Sequence, residues 1–330
     1  MMENKFGLVY DSALKENTYG SVNIQTVNYE SSGVNISANI YTPANYNEKK
    51  QYPAVAVAHP NGGVKEQVSG LFAQKLAENG YIAIASDAAF QGASGGEPRN
   101  TDHPEYRVED IRAMADYLLK FPGVDDKRIG VLGICGGGGY TIEVAKTDKR
   151  FKAVATISMF NSGRVRRNGF KDSEIEKIQE KLLLATNARN KRLISGDIDY
   201  IGNYLSEKVS MTQEQLEEIP AGLYRDGIEY YGDKYYHPNA QSYYTTESLQ
   251  YLMRFDVEDQ LDLINQPLLM IAGEKADTLY MTQDVFNKVT KASSKELVLI
   301  KDATHIQTYW KEPFVSQESK KVIDFFNNNL

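Results

Sequence analysis

Residues 128–145 read RIGVLGICGGGGYTIEVA. An apolar run from Ile129 to Ile134 meets the chain's only cysteine, Cys135, and four consecutive glycines; a helix-compatible segment follows at once. A glycine cluster after a strand first suggests a nucleotide site, but the spacing is wrong. Counting G-x-G-x-x-G from Gly133 puts Cys135 at the third position, counting from Gly136 puts Thr141 at the sixth, and no G-K-[ST] follows. The pattern small-x-nucleophile-x-small does fit, as Gly133-Ile134-Cys135-Gly136-Gly137. Such a turn strains the backbone of its central residue, and larger neighbours two positions away would collide with the adjoining strand and helix. The helix that follows aims its N–H groups and dipole at the side chain, which favours thiolate. The alternative is a buried cysteine in a tight strand–helix contact.

Working outward, 22–29 and 34–42 read as two strands joined by ESSG, the second alternating with period two and so predicted to have one wet face. Beyond residue 52, short apolar strands alternate with helical segments. Strands at 54–58, 81–86, 128–134 and 152–158 interleave with helices over 65–79, 104–121 and 138–146. The alternation stops at Ser158 and resumes with PLLMIAG (267–273), a helix over 281–291, ELVLIKD (296–302) and a last helix over 315–328. Buried strands alternating with amphipathic helices predict an α/β fold, with a mostly parallel sheet covered on both faces. Residues 1–158 and 258–330 form the predicted core. Residues 159–257 contain no convincing buried strand, and predict a mostly helical cap or lid with a helix over 173–186 and a TQEQ capping box before Leu216.

The formal charge of −7 argues against a nucleic-acid or anionic-membrane surface. No apolar run nears spanning length, and the first twenty residues lack the basic and apolar regions of a signal peptide. One cysteine allows no internal disulfide and no cysteine-cluster metal site. The expectation is a cytoplasmic protein acting on a small molecule, with no cofactor, no bound metal, and a homodimer left open.

A nucleophile at Cys135 needs a base and an orienting acid. Past PLLMIAG, the segment EKADT offers Asp277, with Glu274 as its rival; past ELVLIKD, ATHIQ offers His305, one of four histidines. His305 would take the thiol proton, and Asp277 would fix the imidazole tautomer. Two backbone N–H groups should face the developing oxyanion. Gly136 supplies one; Asn61 supplies the other, or Gly62, from HPNGGVKEQ, where Pro60 has none to give. His59, Asp87, Tyr236 and His237 are further candidates for substrate contact. The run RVRR (164–167) could grip a substrate carboxylate, although a solvated face is the commoner fate of such a run. Eight of the 22 tyrosines fall between 224 and 251, and would line a pocket or pack cap to core.

Together HPNGGVKEQ, DAAFQGASGGEPR, GICGGGGY, GEKADT and ATHIQ resemble the α/β-hydrolase superfamily, in its branch near the dienelactone hydrolases. The cysteine at the turn is similar to theirs, where most relatives use serine. The resemblance implies an eight-stranded, mostly parallel sheet with a Cys-His-Asp triad at its carboxyl end. It also implies hydrolysis of a carboxylic ester, lactone or thioester through an acyl-enzyme. Dienelactone hydrolases are smaller and lack a comparable insertion. Acyl transfer, peptide cleavage, or a scaffold that binds without turnover are the rival readings.

Overall fold

A computed structural model describes residues 4–202, 208–209 and 211–330. The first two strands, β1 (Asn23–Ser31) and β2 (Val34–Thr42), form a hairpin. Both residues of its turn, Ser32 and Gly33, have positive φ (48° and 79°), the geometry whose twist suits a two-residue connection. Then follow β3 (Tyr52–Ala58), α1 (Val68–Glu78), β4 (Ile82–Ser86), α2 (Pro104–Lys120), β5 (Val124–Ile134), α3 (Gly136–Thr147) and β6 (Phe151–Ile157). The segment after β6 contains α4 (Ser162–Asn168), α5 (Ile178–Ser195), β7 (Tyr200–Gly202), α6 (Gln213–Glu217), α7 (Leu223–Gly227), β8 (Tyr243–Thr245) and α8 (Leu249–Leu252). A π-helical stretch, Ile228–Lys234, continues α7. The sheet resumes with β9 (Leu268–Gly273), α9 (Leu279–Lys288) and β10 (Lys295–Ile300), and α10 (Phe314–Asn329) closes the chain.

Eight strands form one sheet in the order β1-β2-β4-β3-β5-β6-β9-β10. Strand β2 runs antiparallel to both of its neighbours, and all other pairs are parallel. Successive side chains point to opposite faces, so each central strand feeds two cores. Val55, Val57, Leu132 and Ile134 meet α1 and α10, through Phe72, Leu76, Val322 and Phe326. Ala54, Ala56, Ile129 and Val131 meet α2, α3 and α9, through Ile111, Leu118, Ile142 and Val285. Covering both faces is what the near-continuous apolar strands require.

Two expectations are corrected. On the face predicted to be wet, β2 is exposed only at Asn35: Ser37 and Asn39 are buried. Ser37 receives Asp87 N–H on its carbonyl and donates its own N–H to Ser94 Oγ, and Asn39 Oδ1 accepts from Thr26. The helix expected over 173–186 begins at Ile178 and reaches Ser195. Glu174, at φ −135° and ψ 32°, leaves helical geometry, and Ile175–Lys177 form a separate 3-10 turn before the helix. Past residue 186, Ala188 stays buried while Arg189 and Arg192 both bond Glu247; Gly196, at φ 81°, ends the helix. The capping box at Thr212 and Gln215 is present. No helix among the described residues is long and apolar enough to cross a membrane.

Candidate active site

Cys135 sits between β5 and α3 at φ 55°, ψ −121°. A non-glycine residue in such a region costs of order 1–3 kcal/mol and persists only where its surroundings hold it. Here its N–H donates to Ile157 O (2.9 Å), and its carbonyl accepts from Phe160 N (2.9 Å) and Gly139 N (3.2 Å). Glycine is needed on either side: a Cβ at Gly133 would lie 2.3 Å from Thr141 Oγ1, and one at Gly137 would lie 2.5 Å from the carbonyl oxygens of Ala58 and His59. The turn thus lifts the thiol above the carboxyl end of the sheet, where sites of open α/β folds sit.

The N–H groups of Gly136 and Asn61 meet the sulfur, and the hydroxyl of Tyr309 lies beside it. Each favours thiolate, as does the nearby Arg107 guanidinium, yet burial outweighs them and pushes the thiol pKa up. The downward shift expected from the helix N-terminus is therefore not the net outcome. Gly62, the alternative oxyanion donor, is not among the N–H groups that meet the sulfur; its carbonyl accepts Gln241 N–H (2.9 Å).

His305 is fully buried on the loop after β10, with its carbonyl held by Thr308 Oγ1 (2.6 Å) and Ser158 Oγ (3.2 Å). Its Nε2 lies 2.9 Å from the Tyr309 hydroxyl and its Nδ1 lies 2.5 Å from Thr278 Oγ1. Tyr309, also buried, thus stands between imidazole and sulfur. Burial drives the His305 pKa down to about 3, so the ring is neutral at rest. With Nδ1–H donated to Thr278, Nε2 is left as the acceptor.

Asp277 does not reach His305. Its Oδ2 accepts the N–H of Leu223 (3.0 Å), the first residue of α7, where a helix leaves its N–H groups unpaired. Thr278, one residue on, takes the place at Nδ1 that Asp277 was expected to fill. The rival Glu274 is exposed, with Oε2 3.4 Å from Asp302 N. The supporting candidates are also placed differently from expectation. His59 is buried and neutral, its pKa driven down to about 3 by burial; Nδ1 donates to Pro60 O (2.6 Å) and Nε2 accepts from Ala88 N (3.0 Å). Asp87 accepts from Lys65 N (2.7 Å), Lys65 Nζ (2.9 Å) and Ala93 N (2.7 Å). Both brace the loops around the site rather than line it. His237 accepts from Asn239 N, and with Tyr236 it lies outside the cavity lining.

The cavity over Cys135 measures about 400 Å³. Asn61, Asp102, Cys135, Asp277 and Tyr309 line it from the core, and Arg166, Leu223, Ile228, Tyr231 and Tyr244 from the segment between β6 and β9. The tyrosine-rich stretch divides. Tyr224, Tyr231, Tyr243 and Tyr244 face the cavity, whereas Tyr230 and Tyr235 pack on Tyr309 and Trp310. Tyr309 and Thr278 are the residues that sequence reasoning did not assign, and the run RVRR was singled out without telling that Arg166 is its arginine in the cavity wall. A tyrosine one helical turn past His305 was the available signal for the first. No cluster of acidic, histidine or cysteine side chains able to hold a metal ion occurs among the described residues.

Comparison with known proteins agrees with this fold. Residues 36–180 match the dienelactone hydrolase family. The uncharacterized protein YcjY of Escherichia coli K12 is 34% identical over 301 residues, covering 90% of this chain and 95% of that protein. The crystal structure of the hypothetical protein PA2218 of Pseudomonas aeruginosa superposes with a TM-score of 0.83 at 31% identity, covering 94% of both chains. Polyketide transferase grgF of Penicillium sp. is 25% identical over 84% of this chain and 88% of its own length. The crystal structure of the α/β hydrolase GrgF matches at a TM-score of 0.74 and 18% identity, covering 93% and 99%. With its strand order, its strained turn and these relatives, the chain belongs to the dienelactone hydrolase-like branch of the α/β hydrolases.

Proposed function

We propose that this enzyme cleaves a carboxylic ester, lactone or thioester with Cys135 as nucleophile and His305 as base. One observation carries the reading: the sulfur of a strained cysteine meets the N–H groups of Gly136 and Asn61 at the floor of a cavity of about 400 Å³. On binding, the substrate carbonyl oxygen takes over those two donors. The thiol proton passes to the Tyr309 oxygen as the phenolic proton passes to His305 Nε2. Sulfur then attacks the carbonyl carbon, a C–S bond forms, and the carbonyl π electrons move onto oxygen. When the tetrahedral adduct collapses, the alkoxide or thiolate leaves with the proton returned from His305, and a thioester acyl-enzyme remains. Water, deprotonated by the same route, hydrolyses it. Residues 159–257 serve as the cap that shapes the acyl pocket.

Transfer of the acyl group to an alcohol is the second reading, favoured by the likeness to a polyketide transferase. A panel of esters, lactones and thioesters tests both, run with and without alcohol acceptors on the wild type beside Cys135→Ala. Hydrolysis that disappears in the variant supports the first reading, and products that appear only with acceptor support the second. No turnover of any member by the wild type, or full activity in the variant, refutes both.

A further inference from the structure

Four tyrosines from the segment between β6 and β9 face the cavity over Cys135, and three of them are accounted for. Tyr244 lies against the Arg166 guanidinium (4.9 Å from the ring centre), Tyr243 packs edge to face on Tyr200 (5.3 Å), and Tyr224 is 56% exposed. Tyr231 is different. Its ring is held edge to face on Tyr230 (4.7 Å), which packs in the same way on Tyr309 (5.5 Å). Its hydroxyl has no hydrogen-bond partner among the described residues. A tyrosine hydroxyl shut away from bulk water ordinarily finds a partner, and the space left for one here is the cavity.

The backbone explains why Tyr231 points there. Tyr224, Gly227, Ile228 and Tyr231 recur at i, i+3, i+4 and i+7 along α7 and its continuation, and all four line the cavity. At Tyr230 the helix widens into a π turn, closed by Tyr235 N–H on Tyr230 O (2.9 Å). Adjacent tyrosines thus serve two layers: Tyr230 is buried against Tyr235 and Tyr309, and Tyr231 faces the cavity. Single π turns inside helices are frequent at functional sites. Burial holds the Tyr231 proton on its oxygen, and charge on the nearby sulfur of Cys135 acts in the same sense, so the phenol stays a donor.

The other donors at the site have their tasks. Gly136 and Asn61 serve the carbonyl oxygen, and Tyr309 is committed to His305 Nε2 (2.9 Å). The atom still without a donor is the leaving oxygen, which gains negative charge as the tetrahedral adduct collapses. We propose that Tyr231 is a further catalytic residue, donating a hydrogen bond to that oxygen and so extending the enzyme's range to esters of poorly acidic alcohols. The inference rests on the hydrolase reading above. No proton changes hands at Tyr231. The C–O bond breaks with its electron pair passing to the leaving oxygen, and the proton that completes the alcohol comes from His305 by way of Tyr309.

The test takes one acyl group esterified to p-nitrophenol, phenol, trifluoroethanol and ethanol, and compares wild type, Tyr231→Phe and Tyr230→Phe. The measured quantity is kcat/KM, which reports acylation alone. Tyr231→Phe keeps the ring and should stay within about twofold of wild type on the p-nitrophenyl ester, whose alcohol leaves unaided. Its loss should grow along the series to about 10- to 100-fold on the ethyl ester, the scale of a hydrogen bond to a charged group. Tyr230→Phe, whose hydroxyl is buried without a side-chain partner, should track the wild type. An equal loss on every ester overturns the proposal, because altered packing or binding does not follow leaving-group acidity. So does an undiminished rate on the ethyl ester, or a wild type confined to the p-nitrophenyl ester. If no ester is cleaved at all, the hydrolase reading falls, and Tyr231 is judged by titration with p-nitrophenolate at alkaline pH. Hydrogen bonding holds charge on the phenolate oxygen and moves its visible band to shorter wavelength. A band moved by the wild type and not by Tyr231→Phe supports the donor; the same band in both, or no binding, overturns it.

Discussion

His305 Nε2 lies 2.9 Å from the hydroxyl of Tyr309, and the same hydroxyl lies beside the sulfur of Cys135. A base that works through an intervening phenol makes the phenol part of the proton path. Tyr309→Phe removes the path without changing the ring that packs on Tyr230. Positioned proton transfer contributes about 10²–10⁴-fold, so kcat should fall by about 100-fold or more with KM little changed. Tyr230→Phe is the control, since the Tyr230 hydroxyl is buried without a side-chain partner. Steady-state kinetics on one ester decide this. Full activity in Tyr309→Phe would mean that the imidazole moves to meet the sulfur directly.

The resting thiol should be neutral. Burial raises its pKa, and the Tyr309 hydroxyl and the two N–H groups only partly oppose this. Iodoacetamide labelling of the native enzyme should therefore have a pH midpoint above that of an ordinary cysteine. In Tyr309→Phe the midpoint should move further up, because a donor to the thiolate is lost. A midpoint near 7 would show that the helix N-terminus dominates after all.

A third prediction separates two adjacent side chains. Asp277 holds Leu223 N–H, and Thr278 holds His305 Nδ1. Thr278→Val should cost about 10- to 100-fold in kcat by freeing the ring and its tautomer, an order of magnitude for one lost orienting hydrogen bond. Asp277→Asn, which keeps an acceptor for Leu223, should cost less than about tenfold. A loss near 10⁴-fold in Asp277→Asn, the size seen when a triad acid is removed, would show that the reacting enzyme rearranges to bring this carboxylate onto His305.

These residues also mark what the sequence could reveal. Strand positions, the strained turn and the loops carrying His305 and Asp277 follow from local patterns, because apolar periodicity and glycine spacing act within a few residues of chain. Asn61 is legible as a donor because Pro60 beside it has no N–H. The role of Thr278 is not, since which of two neighbouring side chains reaches an imidazole 27 residues away depends on loop geometry. Nor is the sign of the Cys135 shift: the helix N-terminus is local, whereas the roof that buries the thiol comes from residues far along the chain. Arg166 is hidden for the same reason. Nothing in RVRR itself distinguishes Arg166, in the cavity wall, from Arg164 and Arg167, which pair with Asp172 and Asp256.

The last prediction concerns α10. Glu318 is fully buried there, neither carboxylate oxygen has a partner among the described residues, and burial holds its pKa well above the ordinary carboxyl value, with Glu312 adding to the effect. The folded state therefore keeps Glu318 protonated at pH values where the unfolded chain has released the proton. A raised folded pKa favours folding fully only below the unfolded value, near 4.3. Above it, the unfolded chain gains about 1.4 kcal/mol per pH unit, until the folded pKa is reached. Glu318→Leu removes the ionisable group at similar volume. Its melting temperature relative to wild type should therefore rise as the pH is raised above 5, measured by calorimetry at fixed ionic strength. Other buried acids, such as Asp110, whose pKa burial raises to about 6, tilt both proteins alike and drop out of the difference. A wild-type-minus-variant difference that does not change with pH would show that Glu318 is ionised in the folded state, or that water reaches it.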